Sequence, residues 1–522
     1  MDAVISPATP KARLDQIDQA LRAGRIAHGQ AVAEALTRDY PDYLEGWIIT
    51  ARAFQLGGEF GRMREALAQA LAIEPASPLA RLMDAEALVH LGELRQAKSA
   101  LIAMEGEAAG DANWLGRLAE AFGQCGCHAD AARCARTAAA LAPDVAVHRY
   151  NLATHLVAVG ELDAAESEFD AVIARAPHDY DAYYNRATLR RQTVDRNHVD
   201  EIRRLIRAPH RTRMGPVALH YALAKELEDI GDGAASFEAL KTGAEHRRRL
   251  MRYDVTGDVA TMAQIASTFD ASYFDKASRG EPGDGPVFIL GLPRSGTTLV
   301  DRILSAHSDV ESLGELNDFA LALTALCRAD GGKSGLVQAA AGLAPADLGK
   351  AYLKRVGERT DGRRFFIDKA PANFLYIGLI AAALPDARIV HMQREPMDNA
   401  YSLYKALFRM GYPYSYDFGD LAAYMRAKDS LMDHWRRVLP GRIIDVRYED
   451  VVADQETETR RLLQAVGLEF EASCLAFHRN PGPTATHSAA QVRQPIYASS
   501  VGLWRRYEAQ LQPLADKLGV AP

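Results

Sequence analysis

At 522 residues the chain is too long for one hydrophobic core, so two or more domains are expected. Apolar residues at 48% and charged ones at 25% are ordinary for a globular protein, and the net charge of −7 argues against a dedicated binder of nucleic acid or anionic membrane. Five cysteines are too few for a disulfide scaffold, no apolar run reaches the roughly 20 residues of a membrane span, and the opening Met-Asp-Ala-Val-Ile-Ser-Pro lacks a signal peptide's basic start and apolar stretch, so a cytoplasmic protein is expected.

The first half repeats. Gly24, Gly58, Gly92, Gly126 and Gly160 are spaced 34 residues apart. Pro41, Pro75, Pro143 and Pro177 follow them by 17 residues, with Ala109 in the one vacancy. Ala97, Ala131 and Ala165 share the phase, and Met63 takes the first slot. This period is the signature of tetratricopeptide repeats: the glycine allows a tight turn inside each helical hairpin, and the small residues let helices approach. The register survives for one more helix over 180–190 and then fails, with Val194 where glycine is due. A further hairpin over 220–240 turns at Gly231, and Arg247-Arg248-Arg249 read as a solvated helix face. Cys125, Cys127, Cys134 and His128 are close in sequence but have no partner at zinc spacing, so they read as packing residues and no metal site is expected. Breakers concentrate in 278–285, the expected linker between a helical domain, 1–277, and a second domain, 284–522. The concave groove of such a solenoid suits an extended peptide or a partner helix, the alternative being bracing or dimerisation.

The second domain opens on an anion site. The apolar run 287–290 reads as a buried parallel strand, Gly291 and Gly296 bracket a turn, and Thr297, Thr298, Leu299, Val300, Ile303 and Leu304 continue at helical spacing. Strand, glycine loop and helix start together offer backbone N–H groups and the positive end of a helix dipole. A triphosphate hydrolase places lysine where Thr297 stands; here the cation is inside the loop, as Arg294. Strands are expected over 364–368, 388–393 and 442–446, with helices over 373–384 and 396–408, giving a three-layer α/β domain with a parallel sheet. Arg394 stands at one strand end, and Ser402, two helical turns on, shares its face: a second phosphate site.

Pro293-Arg-Ser-Gly-Thr-Thr-Leu299 resembles the 5′-phosphosulfate loop of sulfotransferases, and Arg394-x7-Ser402 resembles their 3′-phosphate motif. Leu313-Gly-Glu315 and Asp368-Lys-Ala-Pro371 are most similar to tyrosylprotein sulfotransferases, and the fusion with repeats resembles bacterial tetratricopeptide-repeat sulfotransferases. The resemblance implies 3′-phosphoadenosine-5′-phosphosulfate as co-substrate, a metal-independent in-line transfer, and an acceptor hydroxyl or amine. It implies Glu315 as general base, with Arg294 and Lys369 stabilising the transferring sulfonate. Ser295, Gly296, Thr297 and Thr298 would hold the 5′-phosphate, Tyr448 would lie near the adenine, and Ser488 would reach the sulfonate or a phosphate. Leu503, before Trp504, stands where the tyrosylprotein enzymes place a lysine, and Ser308 replaces a usual proline. The aromatic stretch 412–418 is expected either to line the acceptor pocket or to pack beneath a loop. Acceptors open at this point are a peptide tyrosine presented by the repeats, a glycan, a lipid or a small phenol. The rival readings are a P-loop kinase or hydrolase, whose magnesium-holding aspartate Asp368 imitates, and a repeat scaffold with a degenerate catalytic domain.

Overall fold

The computed structural model describes residues 9–520 apart from 109, 284, 330, 409–410 and 481–490. Ala109, Ser488 and the N-terminal segment read above lie outside the described residues. Among those described, no helix is long and apolar enough to cross a membrane. The chain forms two compact units, Met1–His155 and Leu156–Pro522.

The first unit is a succession of helical hairpins, among them Leu44–Gly57 with Phe60–Ile73 and Pro78–Leu91 with Leu94–Glu105. The repeat glycines from Gly24 to Gly126 close these turns in the left-handed region, with φ between +72° and +84°. A Cβ there costs about 1–2 kcal/mol, which is why the period is written in glycine. Ala51, Ala70, Ala80 and Ala87 are fully buried beside Met63 and Leu67, so neighbouring helices meet over small side chains.

The second unit begins with helices and ends with the sheet. Leu162–Arg175 and Tyr180–Thr188 continue the repeat. The register then breaks where Thr193 and Arg196 pair in a tight turn that leaves Val194 exposed. Gly215–Ile230 and Gly233–Arg249 form the later hairpin around Gly231, which has φ +91°. Of the arginines closing that hairpin, Arg249 is exposed as a solvated face requires, but Arg247 and Arg248 are not. Arg248 donates to Asp420 (2.8 Å), and Arg247 stacks its guanidinium 5.7 Å from the Tyr416 ring. Their partners are about 170 residues away, beyond the reach of a local charge pattern.

The sheet has five parallel strands: β1 Pro286–Gly291, β2 Val310–Ser312, β3 Phe365–Asp368, β4 Arg388–Gln393 and β5 Ile443–Arg447, in the order β2-β3-β1-β4-β5. Strand β2 is new relative to the sequence reading; three residues are too few for a periodic signal. Alternate residues of β1 face opposite layers. Val287 and Ile289 pack with Val300, Ile303, Leu304, Leu462 and Leu463 on one side, and Phe288 packs with Phe319 and Tyr352 on the other. Helices therefore cover both faces, the three-layer arrangement expected. The stretch after β3 starts as a 3-10 turn, Pro371–Tyr376, before the helix Ile377–Ala383, and the helix after β4 stops at Tyr404 rather than Phe408. The chain leaves β1 towards β3 and later returns on its other side at β4. The carboxyl ends of β1 and β4 thus flank a topological switch point, the usual place for a ligand in such sheets.

Candidate active site

The loop after β1 is shaped by its close neighbours. Gly291 has φ +150°, and a Cβ on it would come within 2.7 Å of the Met392 carbonyl on β4. Gly296 has φ +105°, and its Cβ would meet the Tyr448 ring at 2.7 Å. Between them Arg294 itself is left-handed, φ +65°, a conformation that β4 and the next helix hold in place. Arg394 Nη1 donates to the Arg294 carbonyl (2.9 Å), and Asn399 Nδ2 donates to the Pro293 carbonyl (3.0 Å). The helix Thr297–Leu304 starts directly after Gly296, so the amides of Thr297 and Thr298 have no partner within their own helix.

Arg294 and Arg394, from the ends of adjacent strands, line one cleft with Gly296, Thr297, Thr298, Ser402 and Tyr448; it encloses about 850 Å³, part of it open to solvent. Arg294 Nε donates to Ser402 Oγ (3.4 Å). Burial lowers the Arg294 pKa, and the positive charge of Arg394 lowers it further. Two guanidinium groups held together in a half-buried cleft repel each other, an arrangement that an anion relieves. Arg394 stacks over Tyr448 (4.7 Å), whose hydroxyl shares a 2.7 Å hydrogen bond with Ser500 Oγ. Arg394 Nη2 reaches the Ser500 carbonyl (2.7 Å), while Asp398 accepts from the Gly502 amide (2.6 Å). These bonds draw the segment around residue 500 over the cleft. Arg394 Nε is buried with no hydrogen-bond partner, the kind of donor that a phosphate oxygen satisfies.

Ser295 is placed differently. Its side chain is buried beside Gly291, its amide donates to the Leu292 carbonyl (3.2 Å), and it is not among the residues lining the cleft.

Glu315 and Lys369 meet at the carboxyl ends of β2 and β3. The Leu313 amide donates to the Ile367 carbonyl (3.0 Å) and the Lys369 amide to the Gly314 carbonyl (2.9 Å), which carries the strand pairing past Ser312. Lys369 Nζ lies 2.5 Å from Glu315 Oε1. The lysine is 1% exposed and the glutamate 49%, so the carboxylate stands at a surface with a buried cation behind it. Asp301, buried on the helix after the loop, has its pKa raised by burial, and the charge of Lys369 works against that rise. Burial, with the Glu315 charge second, pushes the Tyr412 phenol up to about 12. Tyr412 therefore lies within electrostatic range of Glu315, its ring packed edge-on against Phe408 (4.8 Å). Tyr414 and Tyr416, by contrast, are core residues, Tyr414 stacking on Tyr424 at 3.7 Å. Tyr414 and Tyr416 thus take the packing role, one of the two expected of the aromatic stretch.

Asp368 points the opposite way from Lys369. It is fully buried, accepting from Tyr352 Oη (3.1 Å) and Asn373 Nδ2 (3.2 Å), and burial raises its pKa to about 8. Its carboxyl group is engaged in the core, which weighs against the magnesium-holding part it imitates in sequence.

Residues 286–472 match the model of the Sulfotransferase family. The chain carries a sulfotransferase-family domain. Three relatives extend this. A protein of Aquifex aeolicus described as uncharacterized is 28% identical over 70% of this chain and 49% of its own length. A Caenorhabditis briggsae protein described as a putative protein-tyrosine sulfotransferase is 26% identical over 42% of this chain and 80% of its own. The omega-hydroxy-beta-dihydromenaquinone-9 sulfotransferase Stf3 of Mycobacterium bovis is 30% identical over 21% of this chain and 30% of its own. The chain thus spans about half the length of the Aquifex relative and less than a third of the mycobacterial one.

Several cleft residues carry no motif of their own. Asp398 and Lys405 look like ordinary helix charges, and Ser500 belongs to an irregular segment. Only Asp398 left a signal, at the helix start directly after Arg394.

Proposed function

We propose that the domain over 284–522 transfers a sulfuryl group from 3′-phosphoadenosine-5′-phosphosulfate to an acceptor hydroxyl, a peptide tyrosine, and that the helical domain over 1–277 presents the peptide in the cytoplasm. The observation that carries the reading is the pair of half-buried guanidiniums, Arg294 and Arg394, in one cleft with Ser402 and the first-turn amides of a helix. Such a cleft suits a ligand with phosphates at two points, and the donor supplies an activated sulfonate with its leaving phosphate. Arg294 and the amides of Thr297 and Thr298 hold the 5′-phosphate, and Arg394 with Ser402 holds the 3′-phosphate. Tyr448, fixed between Arg394 and Ser500, offers its ring to the base. Glu315 takes the acceptor proton at Oε1 or Oε2, for which its exposed carboxylate is accessible. Lys369 then stands where charge grows on the transferring group, a cation already desolvated and needing no rearrangement.

The peptide acceptor draws its support from the C. briggsae relative's description and from the repeats. The Stf3 relative keeps a lipid hydroxyl as the second reading. The test is transfer of labelled sulfate onto tyrosine peptides, glycans, small phenols and hydroxylated isoprenoid lipids offered in parallel. Label entering the peptides best supports the proposal; label entering only the lipid replaces the acceptor, and none in any acceptor overturns sulfuryl transfer itself.

A further inference from the structure

Two of the cations in the donor cleft belong to recognised motifs; a third does not. Lys405 follows the helix Pro396–Tyr404 and lines the same cleft as Arg294, Arg394 and Ser402. It lies three residues beyond Ser402, hence on the same helix face. Leu503 lines this cleft too, so an apolar side chain at 503 and an unassigned charge at 405 face the same space.

Lys405 is also held in place. Its Nζ donates to Glu228 Oε2 (2.8 Å) and sits 5.1 Å from the centre of the Tyr401 ring. Glu228 comes from the helix Gly215–Ile230 and accepts as well from Tyr401 Oη (2.6 Å) and Tyr507 Oη (3.3 Å). Burial would raise the Glu228 pKa, yet Lys405 and the two phenols bring it below the ordinary value, so the group stays a carboxylate. An ammonium has three N–H donors. Glu228 takes one and fixes the chain's direction, leaving the others for a ligand.

We propose that Lys405, positioned by Glu228, is a binding residue for the donor's 3′-phosphate. This rests on the donor reading above and adds that the helix Gly215–Ile230 helps to shape the donor site.

Calorimetry on the full chain with adenosine 3′,5′-bisphosphate and adenosine 5′-monophosphate isolates the 3′-phosphate. Wild type is expected to prefer the bisphosphate strongly. In Lys405→Met that preference shrinks at least about tenfold while the affinity for the monophosphate is unchanged. Because Lys405→Met strands a buried carboxylate, Lys405→Met with Glu228→Gln is measured alongside and is expected to behave alike. Adding Leu503→Lys to this pair restores preference. If wild type fails to distinguish the two nucleotides, the donor reading itself fails. If wild type distinguishes them and the variants do so equally, or lose both ligands in parallel, the assignment of Lys405 is overturned.

Discussion

Asp368→Asn is expected to stabilise the protein, by an amount that grows with pH. Asp368 is fully buried, and burial holds its pKa at about 8 against an ordinary 3.8. Below about pH 4 the carboxyl is neutral in both folded and unfolded chains, and folding is not penalised. As pH rises, the unfolded chain releases the proton while the native protein retains it, so stability falls until the native group also ionises near pH 8. At about 1.4 kcal/mol per pH unit, the span from 3.8 to about 8 corresponds to a penalty on the order of 6 kcal/mol. Asparagine is neutral throughout and fits the same partners, its oxygen accepting from Asn373 and its amide donating to the Tyr352 oxygen. Thermal unfolding monitored by circular dichroism between pH 5 and 8.5 should show the variant gaining several degrees over wild type at the alkaline end and little at the acid end. A variant equally destabilised at every pH would refute the reasoning, since it would mean an ionised Asp368 whose charge the fold needs. Retained binding of the adenosine bisphosphate would count further against a metal-holding part.

Gly296→Ala adds a Cβ at φ +105° and 2.7 Å from Tyr448, so it should cost about 1–2 kcal/mol of stability and displace Tyr448; a melt a few degrees lower with donor affinity down tenfold or more is expected, and unchanged affinity would remove the loop from the site. Glu315→Gln should bind the adenosine bisphosphate within twofold of wild type yet transfer sulfate about 10²–10⁴ times more slowly, measured by single-turnover label transfer; full activity would end the general-base assignment. His155 lies against Gly123 and burial, aided by His128, lowers its pKa to about 4, so its contribution to folding is present above pH 6.5 and lost as pH falls towards 4. His155→Gln should shift the acid transition of the first unit, followed by circular dichroism, to lower pH, and no shift would contradict the burial argument.

What the sequence discloses depends on how local the physics is. Repeat glycines, phosphate-loop glycines and the apolar strand runs are short-range patterns, and the elements built on them appear where the spacing puts them. Arg294, Arg394 and Ser402 could be paired because each arginine follows a recognisable strand and Ser402 falls two turns up the next helix. Strand β2 was hidden by its brevity, since it exists through pairing with β3. Lys405 was hidden by distance: its counter-charge, Glu228, is 177 positions away on a helix of the repeat-like region. Arg247 and Arg248 misled for the same reason, because a charge run reveals its partners only once the chain has folded. Ser308 was a departure without a reason in sequence, but its amide and hydroxyl both bond to Glu471, and the amide bond is one that a proline could not make.

The measurement that bears most directly on the central claim is calorimetric titration of the full chain with adenosine 3′,5′-bisphosphate and, separately, with ATP and magnesium. The proposed two-phosphate role of the cleft of Arg294, Arg394 and Ser402 predicts tight binding of the bisphosphate and weak or no binding of the triphosphate. Tight ATP binding with none for the bisphosphate would contradict it.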